Sequence, residues 1–159
     1  MSQFASTRIA VISATWHESI VSQAKNSLLA ELASQGLPNE QVDCFEVPGA
    51  FEIPLVAQRL ARAGRHAAIV ACALVVDGGI YRHEFVAAAV IDGLMRVQLD
   101  SGVPVLSCVL TPQAFHDHAE HQAFFAHHFI AKGQEVARAC LQVLAVTQQL
   151  DRRPAVALA

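Results

Sequence analysis

The sequence is poor in charge and has no run of basic residues. Only 16% of its 159 residues are charged and the formal net charge is −3, whereas soluble domains carry about 25% charged residues. Without a basic patch, a nucleic-acid partner is not expected. A domain of this size has much surface to cover, so the shortage of charge predicts that some surface is buried against further copies of the chain. The alternative is an alanine-rich surface with little charge.

The sequence also lacks long apolar stretches and paired cysteines. Apolar runs such as residues 85–91 are far too short to cross a bilayer, and the N-terminal residues lack the apolar core of a secretory signal. No CxxC pair occurs, so buried free thiols in a reducing cytoplasm are expected rather than disulfides. These thiols belong to Cys44, Cys72, Cys108 and Cys140. We therefore expect a cytoplasmic protein with neither a membrane nor a nucleic-acid partner.

Strand-like apolar runs alternate with helical patterns along the chain. The runs typical of strands cover residues 8–14, 42–47, 67–76 and 103–110. Helical periodicity covers residues 20–32, 52–63 and 84–99, and then 113–149 with a break near residues 132–133. The first half of the third helix is apolar all round, so we expect it to be buried on more than one side.

This alternation predicts a single α/β domain over residues 1–159, with its core at about 8–150. Helices that connect parallel strands lie on both faces of the sheet, so the expected architecture is a three-layer α/β/α sandwich with a four-stranded parallel sheet. Ligands of such sheets bind outside the carboxyl ends of the strands. The loops that follow the strands are therefore the candidate site.

The loops after the first two strands carry the first candidate contacts. The indole of Trp16 can stack on a flat heteroaromatic ring, although it can equally close the rim of the core. Pro48 stiffens the entry to Gly49, which permits backbone shapes that other residues resist. Glu52 falls in the first turn of the next helix, where its carboxylate either holds a polyhydroxylated chain or only caps the helix.

The loop after the third strand has the composition of an anion site. Gly78 and Gly79 separate a buried strand from a helix, and such a turn exposes backbone N–H groups to a phosphate. It is neither a GxGxxG nor a P-loop, which disfavours a dinucleotide or a nucleoside triphosphate. Arg82 and His83 follow at once, offering a permanent charge and a group that moves protons near neutral pH.

Histidines concentrate in residues 115–133, which hold five of the eight. Three of them suggest a metal site: His116, His118 and His121. Because the segment lacks HExxH and is short of carboxylates, we predict no metal and interpret them as solvated or interface histidines. Side chains at intervals of four, three and four share one face of a continuous helix: His121, Phe125, His128 and Lys132. That face either meets a neighbouring subunit or is ordinary helix surface.

Taken together, these segments resemble the lumazine synthases. The matching pieces occur in family order over residues 8–145: Trp16 after the first strand, PGAFEIP at 48–54, the Gly-Gly loop at 78–79, GVPV at 102–105, VLT at 109–111, and Lys132 with Gly133. PGAFEIP alone is suggestive, whereas the ordered set is specific. The loop sequence GGIYRHEFV resembles the type II lumazine synthases of some bacteria.

The resemblance implies a flavodoxin-like fold assembled as pentameric rings, which pair into decamers in the type II proteins. It implies condensation of 5-amino-6-(D-ribitylamino)uracil with 3,4-dihydroxy-2-butanone 4-phosphate, the step of riboflavin biosynthesis that forms 6,7-dimethyl-8-ribityllumazine. No metal or organic cofactor takes part. The sites lie between adjacent subunits.

The resemblance also assigns roles to residues. An aromatic at Trp16 stacks on the pyrimidine; Ala50, Phe51 and Glu52 hold the ribityl side. Val75 and Val76 contact the ring, and backbone groups of Gly79 and Ile80 bind phosphate. Lys132 comes from the adjacent subunit.

Three positions depart from the commoner family pattern. Arg82 stands where the catalytic histidine is usual, with His83 one residue later; Ser107 replaces an aromatic, and Phe124 replaces an arginine. We expect Arg82 to stabilise phosphate or polarise the ketone, with His83 as a proton carrier, in a slow lumazine synthase. The alternatives are a protein that binds riboflavin or lumazine without turnover, and a purely structural ring or shell.

Overall fold

The computed structural model describes residue 4, residues 6–116 and residues 118–152. Within them, the strands are β1 (Ile9–Ala14), β2 (Val42–Val47), β3 (Ala68–Leu74) and β4 (Val105–Leu110). The α-helices are α1 (Glu18–Ser34), α2 (Ile53–Ala63), α3 (His83–Ser101) and α4 (Ala119–Arg152). Short 3₁₀ turns at Asn39–Gln41 and Ala50–Glu52 precede β2 and α2. All strand pairs are parallel, in the order β2-β1-β3-β4.

The two central strands carry the core on both faces of the sheet. β1 and β3 are buried along their whole length, because helices cover both sides of their continuous apolar runs. On one face, Leu28 of α1 and Phe129 of α4 share a cluster. On the other, Ile53 of α2 and Val90 of α3 share a second cluster. The predicted three-layer sandwich around a four-stranded parallel sheet is confirmed in the described part of the chain.

Backbone hydrogen bonds join the loops at the carboxyl ends of the strands. The Thr15 N–H donates to the Val47 carbonyl at 2.8 Å, and the Trp16 N–H donates to the Pro48 carbonyl at 2.9 Å. The Val75 N–H donates to the Leu110 carbonyl at 2.9 Å. These bonds satisfy backbone groups that the sheet leaves unpaired. The loops after β1 and β2 are therefore held side by side, as are the ends of β3 and β4.

Helix α4 is continuous, so the predicted break near residues 132–133 is wrong. The helix begins at Ala119, not near residue 113, and runs to Arg152. A Cβ on Gly133 would lie 2.0 Å from Ser27 Oγ and 2.2 Å from the Ala24 carbonyl oxygen of α1. The glycine therefore permits close approach of α1 and α4, where the sequence pattern indicated a helix end.

Helix α3 is buried on one side only within a single chain. Val90 and Leu94 are almost fully buried, whereas other large side chains of this helix are exposed: Phe85, Ile91, Met95 and Leu99. The expectation of burial on more than one side is therefore not met by the chain alone. An apolar stripe of α3 remains at the surface.

The free cysteines are not all buried, contrary to expectation. Cys72, Cys108 and Cys140 lie in the core, but Cys44 is exposed because it belongs to the edge strand β2, which has a strand neighbour on one side only. Burial raises the pKa of the Cys140 thiol to about 12. Among the helices of the described residues, none is long and apolar enough to cross a membrane.

Candidate active site

A cleft of about 550 Å³ opens at the carboxyl ends of the strands. The side chains of Trp16, Glu52 and Arg82 reach it from three different loops or helix starts. Its other predicted members are Ala50, Phe51, Val75, Val76, Ile80 and His83. Gly79 and Lys132 are the predicted site residues that lie outside its lining. Mostly apolar walls with a few converging polar groups are typical of a small-molecule site.

Trp16 lies against the backbone of Gly49. A Cβ on Gly49 would come within 2.6 Å of Cε3 and 2.7 Å of Cζ3 of the indole, so the ring occupies the space where another residue's side chain would stand. Gly49 has a φ of −135°, an extended conformation that any residue adopts, so the prediction of a special backbone shape is wrong. The indole remains 64% exposed, which leaves much of its surface available for a flat ligand.

Glu52 makes the predicted capping contact and also faces the cleft. The Gly49 N–H donates to Glu52 Oε2 at 2.9 Å, which closes the turn before α2. The second carboxylate oxygen has no hydrogen-bond partner among the described residues. The capping and the ligand-binding interpretations are therefore compatible, because each uses a different oxygen.

The Gly-Gly loop does not present all its N–H groups freely. Gly79 has a φ of +77°, a conformation that favours glycine, and its N–H donates to Asp77 Oδ1 at 2.8 Å. A carboxylate thus occupies the place predicted for a phosphate oxygen. Ile80 and Tyr81 are more than four-fifths exposed, so the rest of this loop stands out from the surface.

Arg82 and His83 point to different partners. The Arg82 guanidinium carbon lies 4.9 Å from the ring centroid of Phe85, a cation–π contact, and it forms no ion pair within the described residues. His83 begins α3 with only 14% of its side chain exposed, and its Nδ1 lies 3.5 Å from Glu84 Oε2. The arginine is available to an anion in the cleft, whereas the histidine forms part of the cleft wall.

Lys132 lies in a separate cavity of about 280 Å³ between β4 and α4. Its Nζ is 2.7 Å from Glu135 Oε2, and the ammonium holds the pKa of Glu135 below its ordinary value. Ser107 lines the same cavity. Lys132, which the resemblance assigns to an adjacent subunit, therefore lies beside Ser107, which replaces the family's aromatic, and away from the Trp16 cleft of its own chain.

Besides the cleft, the Gly-Gly loop borders a second cavity, of about 440 Å³, which is distinct from the cavity that contains Lys132. The cleft and the second cavity share His17, Val76 and Gly78. The residues that only the second cavity contains are Asp77, Gly79, Phe115 and His116. His17 and His116 were not predicted as site residues. The place of His17 directly after Trp16 was the available signal, whereas nothing in the sequence indicated that His116 returns to the Gly-Gly loop.

The histidines before and within the first turn of α4 form a cluster of rings. The ring centroid of His116 lies 5.9 Å from that of His118 and 5.2 Å from that of His121. The backbone N–H of His116 donates to His121 Nδ1 at 3.2 Å, so that nitrogen acts as an acceptor. Among the described residues, no group of three or more His, Cys, Asp or Glu side chains is placed to hold a metal ion.

The fold and the cleft define an α/β sandwich with a cleft of small-molecule size at the carboxyl ends of its parallel strands. The chain belongs to the 6,7-dimethyl-8-ribityllumazine synthase family, whose sequence model matches residues 6–148. The family predicted from PGAFEIP and the accompanying segments is confirmed.

Named relatives are similar over most of their length. The 6,7-dimethyl-8-ribityllumazine synthase of Rhodococcus erythropolis is 62% identical over 139 residues, 87% of this chain and 90% of that protein. The protein named 6,7-dimethyl-8-ribityllumazine synthase 2 of Pseudomonas syringae pv. tomato is 54% identical over 145 residues, 91% and 85% of the two chains. The protein of the same name from Bradyrhizobium diazoefficiens is 51% identical over 152 residues, which are 96% of this chain and 91% of that protein. The number in two of these names agrees with the type II resemblance.

Proposed function

We propose that this chain is a lumazine synthase, a transferase that condenses 5-amino-6-(D-ribitylamino)uracil with 3,4-dihydroxy-2-butanone 4-phosphate in riboflavin biosynthesis. The observation that carries the proposal is the cleft itself. It gathers Trp16, Glu52 and Arg82 around one space in a chain whose family match spans residues 6–148. A structural shell alone would not need an exposed indole, a carboxylate oxygen and a guanidinium at one place.

The pyrimidine substrate fits the apolar side of this cleft. Its ring stacks on the exposed indole of Trp16, with Val75 and Val76 along its edge. The ribityl hydroxyls meet the free oxygen of Glu52 and the turn at Ala50 and Phe51. The phosphate of the second substrate lies toward Gly79 and Ile80, beside the guanidinium of Arg82.

The chemistry asks mainly for positioning of two reactants. The uracil amine attacks the ketone and water leaves to form an imine, after which phosphate is eliminated. The ribityl-bearing nitrogen then attacks the remaining carbonyl and closes the second ring with loss of a second water. Holding the reactants together can supply about 7–11 kcal/mol of the barrier in favourable cases. Arg82 polarises the ketone or stabilises the departing phosphate. Proton transfer by His83 would add about 10²–10⁴-fold, and its place in the cleft wall supports that role.

We place the complete site between adjacent subunits of a cytoplasmic pentamer, two of which pair into a decamer. The exposed apolar stripe of α3 supports an interface between copies, because contiguous apolar surface is typical of protein contacts. The separation of Lys132 from its own chain's cleft supports the same arrangement. In the assembly, Lys132 of one subunit reaches the substrate held by its neighbour.

The test is a coupled comparison of product formation and binding. Purified protein is mixed with both substrates, and lumazine is followed by its fluorescence above the spontaneous reaction. We expect product above background, and at least a tenfold loss for Arg82→Ala, which removes a charged contact worth about 1.5–3 kcal/mol. Binding of riboflavin in the cleft with no product above background would instead favour a receptor that has lost turnover.

A further inference from the structure

The Gly-Gly loop lies between two cavities, and only one of them belongs to the cleft described above. The second cavity borders Gly78 and Gly79 and is also lined by Phe115 and His116, which precede α4. Both cavities contain His17. A ligand group placed on this loop is therefore in reach of residues from the start of α1 and from the segment before α4.

Asp77 creates an electrostatic problem for a phosphate on this loop. Its carboxylate accepts the Gly79 N–H at 2.8 Å and lines the second cavity. A phosphate would compete with the carboxylate for this amide and be repelled by its charge. Position 124 holds Phe124, which stacks on the imidazole of His128 with ring centroids 6.0 Å apart, so this position supplies no charge. Arg82 lines the cleft but not the second cavity, so another donor must face the part of the anion that lies in this cavity.

The imidazoles of His17 and His116 are the donors in place. Neither makes a side-chain hydrogen bond or ion pair within the described residues. An imidazole donates a hydrogen bond when neutral and adds a positive charge when protonated, so either form suits a phosphate.

The backbone at His17 is held in an unusual conformation. His17 has a φ of 58° and is the non-glycine residue with positive φ in the described chain; its ring contacts the edge of Phe115 at 5.9 Å. Strain of this kind persists only where the surroundings enforce it. It brings the imidazole from the start of α1 toward the segment that carries His116.

We propose that the phosphate of the butanone substrate lies on the Gly-Gly loop with Arg82 on its cleft side and extends into the second cavity, where the imidazole of His116 binds it, with His17 as a further donor. His116 of the same subunit thus supplies a hydrogen-bond donor that position 124 lacks. This inference rests on the proposed function for the identity of the phosphorylated substrate. The contact geometry rests only on the cavity and on the loop.

The experiment compares His116→Gln with His127→Gln in the full-length protein. Both substitutions remove an imidazole from the His-rich segment, but His127 is exposed and lines neither cavity. Loss of a hydrogen bond to a charged group should raise KM for the butanone phosphate about tenfold or more. KM for the uracil substrate and kcat should stay within about twofold of the wild type, and His127→Gln should leave all three constants unchanged. His116→Arg should restore much of the affinity.

Asp77→Asn supplies an opposite test. The asparagine oxygen still accepts the Gly79 N–H, but the negative charge is gone, so KM for the butanone phosphate should fall several-fold. An unchanged KM in both His116→Gln and Asp77→Asn, with both variants folded by circular dichroism, would overturn the proposal.

Calorimetric titration of the butanone phosphate separates this inference from the proposed function. If the protein makes no lumazine, the proposed function fails, yet the titration still decides whether a phosphate ester binds here. Binding by the wild type that is weakened by His116→Gln supports the site. No binding by the wild type, or equal binding by wild type and variant, rejects it.

Discussion

The group around Asp43 at the amino ends of the strands and the Trp16 cleft at their carboxyl ends treat charged side chains in opposite ways. At the amino ends of the strands, Asp43 accepts hydrogen bonds from Arg8 at 2.5 and 3.2 Å and contacts His66 Nε2 at 2.8 Å. At the carboxyl ends, the Arg82 guanidinium contacts the ring of Phe85 and forms no ion pair among the described residues, and one oxygen of Glu52 accepts no hydrogen bond from them. Charges that are paired within the fold stabilise the fold, whereas unpaired charges are available to a ligand.

The electrostatic consequences follow the same division. The Arg8 guanidinium and then the His66 imidazole hold the pKa of Asp43 at about 2, below its ordinary value of 3.8. A hollow of about 740 Å³ lies beside this group on the edge strand β2. It is larger than the Trp16 cleft, but its carboxylate is already paired. A perturbed pKa in a hollow is a useful sign of a functional site in general, and here it marks a structural ion pair instead.

The largest expected effect at the carboxyl end is the loss of the Trp16 indole. Trp16→Ala should weaken binding of the uracil substrate about 10- to 100-fold, because stacking of a base on an aromatic ring contributes about 1–3 kcal/mol. The free energy of unfolding should change by less than about 0.5 kcal/mol, because the ring is 64% exposed. Titration calorimetry and urea unfolding measure the two quantities. Trp16→Phe is the matched control, and an unchanged affinity in Trp16→Ala would end the assignment of the cleft.

Asp43→Asn at the amino end should show the converse pattern. We expect a loss of about 1 kcal/mol of stability at neutral pH, the upper range for a partly exposed pair, with unchanged substrate affinity at the opposite rim. Because folding lowers the pKa of this carboxyl from 3.8 to about 2, its stabilisation is complete above about pH 5 and disappears as the pH falls toward 2. Urea unfolding between pH 7 and pH 2 should therefore show the wild type and the variant converging. If the difference in unfolding free energy stayed constant across that range, the stabilisation would come from the shape of the Asp43 side chain rather than from its charge.

Much of the fold follows from local pattern. The run at residues 42–47 is strand β2 without change, although it is a partly exposed edge strand. The run at 67–76 exceeds β3 by one residue at its start and two at its end, because a continuous apolar segment leaves few alternatives to a buried parallel strand. Gly133 shows the limit of this reasoning. A glycine can end a helix or admit a neighbouring helix, and only the contact with Ala24 and Ser27 decides which.

In the candidate site too, some features were predictable from the sequence and others were not. Trp16 and Glu52 lie in the cleft, as the rule for the carboxyl ends of parallel strands predicts. The bond between Asp77 and the Gly79 N–H depends on a side-chain rotamer, and the approach of His116 depends on the path of a loop. Neither has a periodic signal in the sequence. The position of Lys132 relative to a substrate depends further on how copies of the chain assemble.

Gly49→Ala should show how much of the substrate affinity depends on the position of the Trp16 indole, rather than on its presence. The added methyl carbon would stand 2.6 Å from the Trp16 ring, and the exposed ring can swing away at little cost to the fold. We therefore expect a smaller loss of uracil-substrate affinity than in Trp16→Ala, about 3- to 10-fold, with stability within about 1 kcal/mol of the wild type. Calorimetry on the double variant is the control. Additive losses would show that Gly49 acts independently of Trp16, against the contact argued here.

Glu52→Gln should have the smallest effect of the set, because it keeps the turn and removes only charge. The glutamine oxygen can still accept the Gly49 N–H, so the start of α2 and the free energy of unfolding should hardly change. The ribityl hydroxyls lose a carboxylate acceptor, and hydrogen bonds to a charged group are about twice as strong as neutral ones, so binding of the uracil substrate should weaken several-fold. Affinity for a pyrimidine analogue without the ribityl chain should stay constant. An equal loss of affinity for both compounds would mean that Glu52 acts on the ring or on the loop. Unchanged affinity for both would mean that Glu52 only caps the start of α2.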